Sequence, residues 1–267
     1  MLDDRYTSLE WIGEGEEGKV YRAFDRVRNR SVALKRTPFG ETQHEEVDGM
    51  LEEIRTLGGM SHPNLVTIHD TGRDGGDCFI VMEWVEGENL EALSRHGKML
   101  YEHFLPFALQ IQEAMIAAHE LGILHRDIKP ANVMLRWLPS GSPHIKLLDF
   151  GLTRLTQRAN LMGSLHFMSP EQFEKQPADI RSDLYSLGCL YYFALTQRRP
   201  FAGDSTLELM ISHLHHRVTP LHEVRPDLPS WLCDWVMWHL ERQPTDRPES
   251  VMAAFQRLKS HTRADVF

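Results

Sequence analysis

The chain has 267 residues, 42% hydrophobic and 25% charged, an ordinary globular balance that excludes a disordered or fibrous chain and suffices for one large domain or two lobes. A formal net charge of −9 argues against a broad nucleic-acid-binding surface, so no nucleic-acid partner is expected. Cys78, Cys189 and Cys233 lie far apart, fit no zinc spacing and cannot all pair, so a reduced, cytoplasmic compartment is the simplest reading.

In chain order, the first 80 residues predict short strands at Leu9 to Gly13, Lys19 to Phe24 and Ser31 to Lys35, broken by glycines and a charged turn at Asp25 to Arg30. An acidic segment from Gly40 to Gly59 has helical spacing, with Val47, Met50, Leu51, Ile54 and Leu57 on one face. Strand-like runs follow at Leu65 to Asp70 and Cys78 to Val85. After Gly87 the pattern turns helical. Phe104, Ala108, Ile111, Met115, Ala118 and Leu121 share one face, and Gly122 is placed to end that helix. Ser182 is expected to cap a buried helix running to about Thr196. Its apolar run is too short for a membrane span, which needs roughly 20 residues, and the acidic N-terminus lacks a signal core. No membrane segment is expected in this chain, although it could be the cytosolic domain of a longer, membrane-anchored protein. Further helices are expected at Thr206 to His215, Ser230 to Leu240 and Glu249 to Lys259.

Four short motifs carry chemistry. Gly13-Glu-Gly15-Glu-Glu-Gly18-Lys-Val20 can bring backbone N–H groups close to phosphates, though alone it reads equally as a glycine-rich hairpin. Val32-Ala-Leu-Lys35 ends an apolar strand with a lysine that can neutralise phosphate charge, and Glu53 is its best-placed carboxylate partner. His125-Arg-Asp127-Ile-Lys129-Pro-Ala-Asn132 offers a proton acceptor in Asp127, a phosphoryl-binding cation in Lys129 and a cation ligand in Asn132. Asp149-Phe-Gly151, after the strand Ile145 to Leu148, supplies a carboxylate for Mg2+.

In this order and spacing the four motifs resemble the eukaryotic-type (Hanks-type) serine/threonine protein kinase catalytic domain, with bacterial features in Ser169-Pro-Glu171-Gln172 and the compact length. The resemblance runs from about Leu9 to Leu258. It implies an α+β, bilobal fold: a β-rich N-lobe at about 1–82, a hinge at about 83–88 and a mainly helical C-lobe at about 89–260. It also implies ATP as substrate, Mg2+ as cofactor with Mn2+ as an alternative, protein substrates with Ser/Thr acceptors, and room for self-association in trans-autophosphorylation.

Carried over to this sequence, Ile12, Val20 and Ala33 cover the adenine and Leu135 lies beneath it, with Gly13, Gly15 and Gly18 at the phosphates. Met82 takes the gatekeeper position, backbone groups of Glu83 and Val85 read the adenine edge, and Glu88 reaches the ribose. Ile68, Leu57, Phe150 and His125 match the side-chain stack of the active enzyme. Glu171 is expected to pair with Arg247 as a structural clamp, and Asp183 to anchor the backbone at His125 and Arg126. Lys129 marks the serine/threonine class, and Ser164 stands where the family has threonine. Thr153 and Thr156 are the hydroxyl acceptors before Ser164, with Arg126 and Arg154 as phosphate-binding cations, but Gly49 occupies the position where many relatives supply a third.

Glu17 replaces the usual aromatic at the tip of the glycine loop, and Ala131 removes one reason to expect basic substrates. His213, His215 and His216 read as structural residues rather than a metal cluster, because no carboxylate accompanies them. The rivals are a non-enzymatic binding module of the same fold and a small-molecule phosphotransferase of related fold. The filled catalytic positions argue against the first; Lys129, Ser169-Pro-Glu171 and the Asp183 motif argue against the second.

Overall fold

The computed structural model describes residues 2–15, 18–39, 48–49, 51–52, 54–55, 58–150 and 162–264. The chain divides into two compact units, Met1–Glu86 with Asp149–Leu161, and Gly87–Leu148 with Met162–Phe267.

The first unit is built on a five-stranded antiparallel sheet. Strands β1 (Tyr6–Gly15), β2 (Gly18–Asp25), β3 (Arg30–Pro38), β4 (Ile68–Asp74) and β5 (Asp77–Glu83) lie in the order β1-β2-β3-β5-β4. The turn between β2 and β3 is set by Asp25, whose Oδ1 accepts from Val27 N at 3.0 Å and Arg28 N at 3.2 Å. Asn29 takes the left-handed conformation there, which asparagine tolerates better than most residues. Asp25 is fully buried, and Arg5 answers its charge with two hydrogen bonds of 3.1 and 3.0 Å.

Alternation on the central strands puts Val32, Leu34 and Val81 on one face with Tyr6 and Ala23. The other face carries Ile80 and Met82, packed with Cys78, Leu51 and Ile54. Leu51 and Ile54 belong to the apolar face foreseen for the 40–59 segment; Val47, Met50 and Leu57 lie outside the described residues.

The second unit is mainly helical, with a small sheet of β6 (Glu88–Asn89), β7 (Val133–Trp137) and β8 (Pro143–Leu147) in that order. Its helices include α1 (Tyr101–Glu120), α2 (Pro170–Phe173), α3 (Ile180–Thr196), α4 (Thr206–Leu214), α5 (Ser230–His239) and α6 (Val251–Ala264). Phe104, Ala108, Ile111, Met115 and Ala118 form the buried stripe of α1, with Phe104, Ile111 and Met115 each worth up to about 3 kcal/mol in buried apolar area. Leu121 departs from that expectation and is 57% exposed, because α1 ends one residue earlier and Gly122 turns the chain at φ +73°.

The cap of α3 also differs from expectation. Asp179, not Ser182, accepts from Arg181 N at 2.7 Å, and Ser182 lies inside the helix with its hydroxyl donating to Glu171. Nearly every residue of α3 is buried. At Gly188 a Cβ would stand 2.8 Å from that of His239, so glycine is what lets α3 and α5 approach.

Candidate active site

The phosphate-loop glycines fall in the β1–β2 hairpin, where Gly15 pairs with Gly18. Gly18 has φ +137°, and a Cβ there would meet Arg36 O at 2.1 Å, so only glycine fits. Gly13 is different: a Cβ built on it meets nothing within 4 Å. Ile12 is exposed, while Val20 and Ala33 are half-buried on the neighbouring strands.

Strand pairing sets Val20 opposite Lys35 and Ala33 opposite Met82. Lys35 is only 5% exposed, and its Nζ stands 3.0 Å from Asp149 Oδ2. The expected partner, Glu53, lies outside the described residues. Asp149 adopts a left-handed backbone at φ +59°, a conformation that costs energy in a residue with a Cβ. Beside the pair, Leu65, Val66, Ile68, Ile80, Met82 and Phe150 line an apolar cavity that Asp149 also borders. At the end of β5, Glu83 N donates to Thr67 O at 2.9 Å, and its Oε1 accepts from Thr67 N at 2.8 Å.

In the second unit the residues from 125 to 132 follow α1 and fold on themselves. Asp127 is 6% exposed, and its Oδ2 lies 2.9 Å from Lys129 Nζ and 2.8 Å from Asn132 Nδ2. Asn132 Nδ2 also donates to Asp127 O at 2.8 Å, and Lys129 Nζ donates to Ser164 Oγ at 2.7 Å. Burial pushes the Asp127 carboxyl up, but Lys129, with hydrogen bonding from Ser164 and the nearby His125, outweighs it and holds the group below the usual carboxylate range. It is an ionised acceptor at neutral pH. Leu148 N donates to Asn132 O at 2.9 Å, and β6 brings Glu88 opposite Leu135.

Arg126 also has a left-handed backbone, φ +65°. That geometry is held by Asp183 on α3, whose Oδ2 accepts from His125 N at 2.9 Å and whose Oδ1 accepts from Arg126 N at 2.9 Å. Asp183 Oδ2 also meets His119 Nε2 at 2.9 Å. Sequence reasoning missed His119; the only available signal was its place on the last turn of α1, six residues before His125.

Glu171 and Arg247 form a two-pronged buried pair at 2.8 and 2.9 Å, with the Ser182 hydroxyl adding a third bond to Glu171 at 2.7 Å. Burial raises the Glu171 carboxyl, and the guanidinium more than compensates, so the net direction is down. Arg247 in addition caps the carbonyls of Arg181, Glu241 and Arg242. His213 is fully buried, its Nδ1 2.9 Å from the Tyr185 hydroxyl. No metal-binding group of three or more His, Cys, Asp or Glu occurs among the described residues. Thr153, Arg154 and Thr156 lie outside them.

Residues 6–261 match the protein kinase domain family, and the chain belongs to it. A probable serine/threonine-protein kinase of Clostridium acetobutylicum is 33% identical over 268 residues, which cover 97% of this chain and 40% of that protein. Serine/threonine-protein kinase PknE of Mycobacterium bovis is 35% identical over 252 residues, 91% of this chain and 43% of its own. PknA of Mycobacterium tuberculosis is 33% identical over 263 residues, 93% of this chain and 59% of its own. The chain thus spans between 40% and 59% of these relatives' lengths. The crystal structure of Rad53 1-466 in complex with AMP-PNP superposes with a TM-score of 0.80 at 25% identity, over 95% of this chain and 64% of that one.

The resemblance to a bacterial Hanks-type kinase domain is borne out, and the fold is the bilobal α+β protein kinase fold. No described helix is long and apolar enough to cross a membrane.

Proposed function

We propose that the chain transfers the γ-phosphoryl group of ATP to serine or threonine hydroxyls of proteins. The observation that supports this most directly is the Asp127 carboxylate, buried yet kept ionised by Lys129 and hydrogen-bonded to Asn132. A substrate hydroxyl meeting Asp127 is oriented by it and gives up its proton to it as the phosphoryl group arrives. Lys129, shared between Asp127 and Ser164, offsets negative charge on the transferring group. Lys35 does the same at the α- and β-phosphates, with Glu53 aligning it.

Asn132 and Asp149 suit Mg2+. Asn132 uses its Nδ2 hydrogens on Asp127, so its carboxamide oxygen is the atom to ligate a cation, and Asp149 adds a carboxylate. One carboxylate and one neutral oxygen donor are what Mg2+ on phosphates typically takes from protein. Held by Asn132 and Asp149, the ion would offset negative charge on the phosphates. Mn2+ fits the same donors.

For the adenine, the Glu83 N–H is already committed to Thr67, so its carbonyl is the group that reads the exocyclic amine, and Val85 N–H serves the ring. Ile12, Val20, Ala33 and Leu135 supply the apolar surfaces, and Glu88 the ribose contact. Loop phosphorylation at Thr153 or Thr156, bound by Arg126 and Arg154, and self-association for trans-autophosphorylation complete the proposal.

The test is incorporation of labelled phosphate from ATP with Mg2+, wild type against Asp127→Asn, on the chain itself and on a generic protein substrate. Incorporation mapped to serine or threonine and lost in the variant supports the reading. No incorporation on either substrate moves the non-enzymatic binding module to the front.

A further inference from the structure

β8 is an edge strand. β7 covers one side of it, and on the other side the carbonyl of Pro143 and the N–H of Ile145 face α1. The side chain of Gln110 meets both groups on that edge. Gln110 Oε1 accepts from Ile145 N at 3.1 Å, and Gln110 Nε2 donates to Pro143 O at 2.8 Å. The same Nε2 also reaches Pro106 O at 3.1 Å, which ties the carboxamide back to its own helix. One residue of an added strand would offer the same donor and acceptor, so Gln110 acts as a strand one residue long.

The consequence lies at the end of β8. The strand stops at Leu147, Leu148 N donates to Asn132 O, and Asp149 comes next in the chain. Ile145 and Leu147 are buried, and the β7–β8 pairs set the register on one side of the strand, which leaves its register against α1 to whatever meets the other edge. A paired carboxamide fixes it, because sliding by one residue exchanges the groups it meets. We propose that Gln110 is a positioning residue for the chain that leads from β8 into Asp149, a ligand of the cation in the function proposed above, acting through the register of β8. This inference rests on the kinase reading above, and its test is chosen so that the two can fail separately.

The experiment measures the Mg2+ concentration that half-saturates binding of AMP-PNP, well below the melting temperature of each variant. Gln110→Leu keeps the bulk and removes both hydrogen bonds. The expected result is a rise of about tenfold or more in half-saturating Mg2+, the usual cost of losing a group that orients metal ligands. Faster amide exchange over 145–148 should accompany it. A lower melting temperature with an unchanged Mg2+ requirement overturns the proposal, since a purely structural role predicts that. Should Gln110→Leu not fold, Gln110→Met decides by the same titration. Wild type that binds Mg2+ and nucleotide but phosphorylates no protein sinks the kinase reading and leaves the Gln110 result to stand on its own. Wild type that binds no nucleotide overturns both.

Discussion

His119 and Arg247 illustrate two different uses of a buried contact to a carboxylate. His119 touches Asp183, and Asp183 in turn holds the strained backbone at Arg126, so His119 acts one step away from Asp127. Replacing it with alanine removes one of the two bonds to Asp183 Oδ2, which keeps His125 N as a partner, a loss of about 0.5–1.5 kcal/mol. The expected signature is a kcat lowered by about tenfold with KM for ATP nearly unchanged, since His119 lies on no nucleotide-facing strand. A KM that rises in step with the fall in kcat would argue instead for general loosening. Arg247 is a pure clamp. Arg247→Met strands the Glu171 carboxylate in the interior, and folding stability should drop by about 3–5 kcal/mol in a urea titration. Adding Glu171→Gln should recover much of that loss, because the cost lies in the orphaned charge and not in the missing bond.

The β1–β2 hairpin shows that glycines in one motif do unequal work. Gly18→Ala forces a Cβ against Arg36 O at a left-handed backbone position, so we expect a loss of about 1–3 kcal/mol and weaker ATP binding. Gly13→Ala has open space and should cost under about 1 kcal/mol in thermal melts. Pattern alone gave the hairpin, the buried stripe of α1 and the clustering of Asp127, Lys129 and Asn132, because those depend on residues near one another in the chain. It could not rank Gly13 against Gly18, since the obstructing carbonyl belongs to β3. For the same reason it missed Gln110 and His119, whose partners lie 33 to 64 residues away. The cap of α3 was misread because both Asp179 and Ser182 are good cap residues, and Glu171 claims the serine hydroxyl.

Buried histidines give the folded protein a pH dependence that no local motif announces. His213 and His239 are both fully buried. Burial, helped at His213 by the nearby His166, holds His213 at about 3, and burial holds His239 at about 4, against an ordinary value of 6.5. His69, His166 and His216 are shifted in the same direction by burial. Below about pH 6.5 the unfolded chain takes up protons at these positions while the folded chain does not. Stability is therefore full above that pH and falls as the medium is acidified, by up to about 1.4 kcal/mol per pH unit for each fully buried histidine. The ionised carboxylates of Asp127 and Glu171 act in a lower window. Their folded values are depressed, so their contribution is present above the ordinary carboxylate range and disappears only as pH falls through it. Between about pH 6.5 and 4.5 the slope thus belongs to the histidines. The urea midpoint should fall steadily across that interval in wild type, and more shallowly when His213→Gln and His239→Gln are combined. A wild-type midpoint that stays level from pH 7 to 5 would show that these rings are protonated in the native state, which their burial beside Tyr185 and Trp235 forbids.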